Sequence, residues 1–191
     1  CAVYGNAEKL PIREDHPAKP ESPYGASKLK AENLLQKYHE DFGLETVCLR
    51  YFNVYGPRQA FSGYSGVITQ FLDRINKSLP LTIFGDGEQT RDFVYVQDVV
   101  EANLLALKCA RAFGEVFNIG TGVATSINQL ANALLEITDK NLKIVHSEAR
   151  KGDIRHSVAD ITKAKEKLGY FPKVLLKDGL RNLLGKEFIS E

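Results

Sequence analysis

Short apolar segments alternate with amphipathic helices along this sequence, and this alternation constrains its fold most strongly. The first third predicts the end of a buried strand at residues 3–5, a helix from the cap Ser22 to Gly43, and a buried strand at residues 44–51. Strands separated by helices are typical of parallel sheets, because a parallel pair needs a long crossover. The sequence therefore predicts an α/β fold.

The rest of the chain continues the same pattern. A helix is predicted at residues 67–77. A second helix, whose buried face is predicted to carry Val100, Leu104 and Leu107, ends near residue 113. A third begins at Ile127, directly after the cap Ser126. Further helices are predicted at residues 161–168 and 176–184. Strands are predicted at residues 81–84, 93–96, 116–119 and 142–145.

The composition bears on the cellular setting. The chain has 191 residues, begins at Cys1, has no methionine and carries three cysteines, so we expect part of a longer cytosolic protein rather than a disulfide-bonded secreted one. Its net charge of +1 provides no field that would attract nucleic acid. No apolar run approaches the length of a membrane span. We therefore expect a small-molecule partner, with no nucleic acid and no membrane.

The sharpest local signal lies at the start of the first helix, where residues 24–28 read YGASK. Spacing by four residues places the Tyr24 phenol and the Lys28 ammonium on one helix face. An unperturbed tyrosine has a pKa of about 10, so a tyrosine that works as a base near neutral pH needs positive charge beside it. The pair is an acid–base candidate, although any helix can present this spacing with a packed tyrosine and a solvated lysine.

Further motifs follow in a consistent order along the whole chain. Residues 2–5 read AVYG, residues 50–58 read RYFNVYGPR, residues 91–98 read RDFVYVQD and residues 118–122 read NIGTG. Together with YGASK, they resemble the extended short-chain dehydrogenase/reductase family, and within it the UDP-sugar 4-epimerases of the UDP-glucose type. The resemblance implies the second half of a doubly wound parallel (Rossmann-type) sheet followed by a smaller mixed α/β substrate domain.

The resemblance also implies a chemistry. Tyr24 would be the base toward the sugar 4-hydroxyl, and Lys28 would hold the nicotinamide ribose of NAD and lower the tyrosine pKa. Tyr51 and Phe52 would lie by the cofactor. Hydride would pass from sugar C4 to NAD and return to the opposite face of a transient 4-keto sugar, so that UDP-glucose and UDP-galactose interconvert.

The family's Gly-rich NAD loop would lie roughly 100 residues before Cys1. We therefore expect the 191-residue chain alone neither to retain NAD nor to turn over.

The same resemblance assigns the substrate contacts. Arginine suits a diphosphate because its guanidinium donates paired hydrogen bonds. Arg91, Arg150 and Asn53 match diphosphate-binding positions, and Asp153 matches a residue that holds the uridine ribose. The uracil would be framed by Thr82 and Phe84, and the phosphate entry lined by Ser65, Gly66 and Val67.

Two positions refine the subgroup. Dehydratases and decarboxylases of the family carry an acidic residue where this chain has Ala2, which favours simple epimerisation. Ser157 matches the gate of the sugar pocket, and its small side chain leaves room for N-acetylated UDP-hexoses. The alternatives are another NAD-dependent sugar-nucleotide dehydratase, decarboxylase or epimerase, and a catalytically silent nucleotide-sugar binding protein.

The resemblance further predicts the organisation of the chain. Residues 1–54 would belong to the NAD-binding domain and residues 55–191 to the substrate domain, with strands near 93–119 partly returning to the first. A homodimer that forms through the first long helix is expected. The four histidines show no spacing typical of a metal site, and we predict none.

Overall fold

The first long helix forms as its sequence predicts. In the computed structural model, which describes residues 1–59, 66–150 and 152–187, it spans Pro23–Phe42. The Ser22 hydroxyl accepts a hydrogen bond from the Gly25 backbone N–H at 3.0 Å, and Pro23 lacks only an N–H that the first turn would leave unpaired. Gly43 ends the helix with φ +67°, a conformation that favours glycine.

The remaining elements alternate along the chain. The helices are α1 (Pro23–Phe42), α2 (Val67–Asn76), α3 (Val96–Lys108), α4 (Ile127–Thr138), α5 (Thr162–Leu168) and α6 (Leu176–Glu187), with a 3₁₀ turn at Ala110–Ala112. The strands are β1 (Val47–Tyr51), β2 (Asn53–Tyr55), β3 (Leu81–Phe84), β4 (Thr90–Arg91), β5 (Phe93–Tyr95), β6 (Glu115–Ile119), β7 (Thr125–Ser126) and β8 (Ile144–Ser147).

Most strand pairs among the described residues are parallel. β1 pairs with β6, β2 with β5 and β3 with β8 in parallel, and β4 pairs with β7 in the antiparallel sense. In the β1–β6 pair, Val47 lies opposite Glu115 and Tyr51 opposite Ile119. Each parallel pair is joined through at least one helix, as crossover connections require. The predicted α/β class is confirmed.

Two apolar clusters hold these elements together. One joins α2, α4 and α6 to β3 and β5, with Phe71, Leu81 and Leu130 almost fully buried. The other packs α3 and α5 against β1, β5 and β6, with Phe117 and Tyr170 at its centre. α4 begins with the predicted Ser126 cap, which forms a reciprocal capping box with Gln129.

The prediction of which face α3 buries is wrong. Val100, Leu104 and Leu107 are exposed, and Leu107 keeps 76% of its surface. The helix instead buries Val99, Ala102 and Ala106, because small side chains allow the close approach to the β-strands that larger ones would prevent. α3 also ends at Lys108, before the 3₁₀ turn, rather than near residue 113.

The predicted strand end at residues 3–5 is also absent. This segment forms a turn in which the Tyr4 N–H donates to the Cys1 carbonyl oxygen at 3.1 Å. Its apolar residues are buried as predicted, since Val3 and Tyr4 pack in a cluster with Ile12 and Phe52. The predicted burial of residues 3–5 is therefore confirmed, but no described strand pairs with this segment.

Within the described ranges, no helix combines the length and the apolar character needed to cross a bilayer.

Candidate functional site

The first turn of α1 carries the acid–base candidates. Tyr24 is 64% exposed, and the Lys28 ammonium lies 5.3 Å from the centre of its ring, so four-residue spacing places the pair together as predicted. Gly25 allows the helix to approach the chain start closely, because a Cβ there would lie 2.5 Å from the Ala2 carbonyl oxygen. The pair therefore stands directly beside the turn at residues 1–4.

A cleft opens next to this pair. Tyr24, Lys28 and Tyr51 line it together with the turn that contains Ala2 and Val3. The Tyr51 hydroxyl donates to the Asn103 side-chain oxygen at 2.9 Å, which orients its ring. Three of the four predicted cofactor contacts thus share one cleft.

The fourth predicted cofactor contact lies elsewhere. Phe52 is only 4% exposed and faces the buried cluster, where its ring centre lies 6.5 Å from that of Tyr4. The reason is alternation: neighbouring residues of an extended segment point to opposite sides, so Tyr51 and Phe52 cannot both face the cleft. In this structure Phe52 packs in that cluster and is not among the residues that line the cleft.

A buried ion pair fixes α1 against β1. The Arg50 guanidinium donates to both carboxylate oxygens of Glu32, at 2.8 and 2.5 Å, and both side chains are about nine-tenths buried. Arg50 also donates to the Tyr4 hydroxyl at 2.7 Å, and this hydroxyl donates to Asn118 at 2.6 Å. Burial raises the pKa of Tyr4 to about 12, against the opposing charge of Arg50. Sequence reasoning missed this cluster, because neither charge reads as buried.

A second cavity, of about 230 Å³, collects most of the predicted substrate contacts. They come from the first residue of β2, the amino-terminal end of α2, β3, β4 and the loop that follows β8. The eight predicted residues that line it are Asn53, Gly66, Val67, Thr82, Phe84, Arg91, Arg150 and Asp153.

One wall of this cavity is formed by the Phe84 ring, which the Arg150 guanidinium covers. Along β3 the side chains alternate, so Leu81 and Ile83 are buried while Thr82 and Phe84 face the cavity. The Arg150 guanidinium lies 3.9 Å from the centre of the Phe84 ring. This geometry is a cation–π contact, and it places positive charge on a flat apolar surface.

The opposite charges of the cavity meet at Arg91. Its guanidinium donates to the Asp153 carboxylate at 2.6 Å, and the Arg91 side chain is only 14% exposed. Burial lowers the pKa of Arg91 and the charge of Asp153 opposes that effect. Because an arginine pKa starts far above neutrality, the guanidinium stays charged.

Two buried amide oxygens at the cavity have no hydrogen-bond partner in the part of the chain that the structure describes. They are Oδ1 of Asn53 and Oε1 of Gln89. Exchanging the amide nitrogen and oxygen of Gln89 would not pair this oxygen, because Nε2 already donates to the Phe84 carbonyl oxygen at 2.8 Å. Buried polar atoms are normally paired, so both amides fit a site that is completed by a ligand. Sequence reasoning found Asn53 but missed Gln89.

Asp92, the residue after Arg91, fixes the end of β4 to two other segments of the chain. Its carboxylate is fully buried and accepts hydrogen bonds from the backbone N–H groups of Thr121, Gly122 and Ala159. The Thr121 hydroxyl adds a fourth, at 2.6 Å. Burial raises the pKa of Asp92, and these hydrogen bonds oppose the rise.

Two predicted substrate contacts stay predictions. Ser65 lies outside the described residues. Ser157 is 3% exposed, its backbone N–H donates to the Thr90 carbonyl oxygen at 3.1 Å, and it does not line the cavity. Its role as a gate stays a prediction.

Comparison with known proteins agrees with these motifs. Residues 1–183 match the sequence profile of the GDP-mannose 4,6 dehydratase family. The chain belongs to this family. The family lies within the extended short-chain dehydrogenase/reductases, so the resemblance drawn from the sequence is confirmed.

Individual proteins are similar to this chain over nearly its whole length. A protein of Methanocaldococcus jannaschii named putative UDP-glucose 4-epimerase is 43% identical, over 96% of this chain and 59% of its own length. The UDP-glucose 4-epimerase of Thermotoga maritima with UDP-glucose superposes with a TM-score of 0.94 at 46% identity, over 99% of this chain and 62% of that one. The Thermus thermophilus UDP-glucose 4-epimerase complex with NAD gives 0.88 at 36% identity, over 100% and 62%.

This chain therefore spans about three-fifths of the length of the family members it matches. Their names place UDP-glucose and NAD in proteins of the same fold.

Proposed function

We propose that this chain carries the catalytic helix and the nucleotide-sugar site of an NAD-dependent UDP-glucose 4-epimerase, an isomerase that interconverts UDP-galactose and UDP-glucose. One observation carries the proposal: eight residues assigned to the substrate from sequence, on five separate segments, line a single cavity. Chance placement of a predicted set would scatter it over the surface. The names of the similar proteins support the same activity.

The cavity offers a complementary group for each part of UDP. The Phe84 ring and the exposed edge of β3 at Thr82 suit a flat base. Arg91 and Arg150 suit the diphosphate, as does the amino-terminal end of α2 at Gly66, because a helix amino-terminus carries partial positive charge. The Asp153 carboxylate suits the two ribose hydroxyls, which are donors.

The chain also supplies the proton chemistry. The Tyr24 phenol takes the proton of the sugar 4-hydroxyl and later returns it, with the Lys28 ammonium 5.3 Å from the centre of its ring. NAD, when bound, supplies the acceptor and donor of a hydride at sugar C4. The exposed faces of Tyr24, Lys28 and Tyr51 in one cleft fit such a cofactor. Ala2, in place of an acid, adds no second proton donor for dehydration.

Organisation, assembly and location complete the proposal. Residues 1–54 belong to the cofactor side and residues 55–191 to the substrate side, with the pairing of β1 with β6 and of β2 with β5 as support for a partial return of the later strands. The chain forms a homodimer through the exposed apolar face of α1. We place the protein in the cytoplasm, because its three cysteines are free thiols and the cytoplasm keeps thiols reduced.

The nucleotide site is tested on the chain itself by calorimetric titration. We expect UDP to bind at least about tenfold more tightly than GDP, because the pocket against β3 has to fit the base. Arg150→Ala should weaken UDP binding by about tenfold or more, because it removes a cation from the diphosphate. Arg181→Ala, which removes an exposed arginine of α6, is the matched control and should change nothing. Equal binding of UDP to all three proteins would contradict the proposal.

The sugar preference is tested in the full-length gene product. Ser157 leaves room for an acetamido group, so we expect turnover of UDP-N-acetylglucosamine as well as UDP-glucose. A coupled assay that follows formation of the galacto epimer from each sugar measures the ratio. No detectable turnover of the acetylated sugar, beside normal turnover of UDP-glucose, would refute the open gate.

A further inference from the structure

In the 230 Å³ cavity, a carboxylate of the protein occupies a cation that could bind a phosphate. Among the described residues that line it, only Arg91, Arg150 and Asp153 are charged. Arg91 is held by Asp153 at 2.6 Å, while Arg150 lies over the Phe84 ring. One of the two cations that suit a diphosphate is therefore already paired with a carboxylate inside the same cavity.

The anion and the second cation share one turn. The Asp153 backbone N–H donates to the Arg150 carbonyl oxygen at 3.2 Å, so both side chains come from one hydrogen-bonded turn in the loop after β8. Arg91 comes from β4, and its guanidinium also donates to the Thr90 carbonyl oxygen at 2.9 Å. Arg91 is thus the fixed member of the pair, and Asp153 stands on the more exposed loop, with 37% of its side chain accessible.

We propose that Asp153 makes capture of the diphosphate conditional on the ribose. A bare pyrophosphate must compete with the Asp153 carboxylate for Arg91 and leaves that carboxylate facing an anion. A nucleoside diphosphate brings two vicinal hydroxyls that donate to Asp153, so the carboxylate keeps partners while Arg91 turns its donors to the phosphate. The proposal rests on the proposed function and adds a specificity rule to it: the site rejects inorganic pyrophosphate and favours ribonucleotides.

A purely supporting role for Asp153 predicts the opposite result. If the carboxylate only held Arg91 in position, its loss would weaken the binding of every diphosphate. If it competes with phosphate, its loss strengthens the binding of pyrophosphate and lowers the preference for UDP.

The experiment is a calorimetric titration of the chain and of Asp153→Asn with pyrophosphate, UDP and 2′,3′-dideoxy-UDP at one ionic strength. We expect the variant to bind pyrophosphate about tenfold more tightly than the wild type, the size expected for loss of one charge-assisted hydrogen bond. Glu136→Gln removes the same charge from the exposed pair with Lys177 and should leave all three affinities unchanged. Unchanged or weaker pyrophosphate binding by Asp153→Asn overturns the inference.

A second measurement needs no variant. The wild-type chain should bind 2′,3′-dideoxy-UDP at least about tenfold more weakly than UDP, because the lost hydroxyls leave Asp153 on Arg91. Equal affinity for the two nucleotides overturns the inference while the proposed function stands. Failure of the wild type to bind UDP at all overturns the proposed function, and the inference with it.

Discussion

At the scale of single residues, the chemistry depends on one phenol. Tyr24→Phe removes the proton-transferring hydroxyl and keeps the ring that lies beside Lys28. We expect the full-length gene product to lose at least about 100-fold in kcat for UDP-glucose epimerisation, the usual contribution of a positioned acid–base group. A discontinuous assay of UDP-galactose formation with added NAD measures it.

Tyr38 provides the matched control for this variant. It lies on the same helix, is 47% exposed and is not among the residues of the cleft, so Tyr38→Phe should retain wild-type turnover. Unchanged turnover in Tyr24→Phe would refute the assigned role.

The sequence predicted the identity of many site residues better than their partners. Tyr24, Lys28 and Arg91 are recognisable because each belongs to a motif. Nothing local indicates that Arg91 meets Asp153, because the two are 62 positions apart and come together only through the fold. Gln89 was missed for the same reason, since an unpaired buried oxygen is a property of the packed structure. Phe52, which the resemblance assigns to the cofactor, is buried beside Tyr4 in this structure, and its role stays a prediction.

At the scale of elements, α1 depends on its ion pair with β1. Glu32 lies four residues after Lys28 on the same helix, so the bond to Arg50 sets which face of the helix meets the strand. Glu32→Ala leaves a buried guanidinium without its partner. We expect the free energy of unfolding to fall by about 3 kcal/mol, measured by urea denaturation followed by circular dichroism.

An exposed ion pair serves as the comparison. Glu136→Ala removes the partner of Lys177 on the surface, where such pairs contribute less than about 1 kcal/mol. Equal losses of stability in the two variants would show that the Glu32–Arg50 bond does not hold α1 in place.

Prediction of the elements succeeded where the local pattern was strong. α1 and α4 carry caps and periodic apolar residues, and β3 is a compact apolar run, so the predicted bounds of α1 and β3 and the predicted start of α4 were close to the observed ones. β4 and β7 have two residues each and exist because Thr90 lies opposite Ser126 in the fold. No local pattern can predict such a pair, because each strand is stabilised by a distant partner.

At the scale of the whole molecule, α1 exposes several apolar side chains. Leu34, Leu35, Tyr38 and Phe42 are each between 41% and 74% exposed on that helix. If this face forms the proposed homodimer, Leu34→Glu should weaken dimerisation at least about 30-fold, as expected for a charge placed in the centre of an interface. Sedimentation velocity over a range of concentrations measures the constant.

The control for the dimer uses another exposed apolar residue. Leu107 of α3 is 76% exposed, and Leu107→Glu should leave the dimer intact. Equal loss in both variants, or none in either, would refute α1 as the interface. The sequence predicted a helix with apolar residues to spare but not which ones face outward, because burial is decided by the neighbours that surround each helix.

The pairing of β1 leads to a different kind of association. Among the described strands, β1 bonds to β6 alone, and its own residues Val47 and Leu49 line an apolar groove. An open strand edge can template a strand from another molecule, whereas a helix face that pairs with itself by two-fold symmetry is used up in the dimer. The edge of β1 away from β6 therefore offers backbone donors and acceptors to a strand of another copy, and such an association would rest on hydrogen bonds rather than on the side-chain packing proposed for α1.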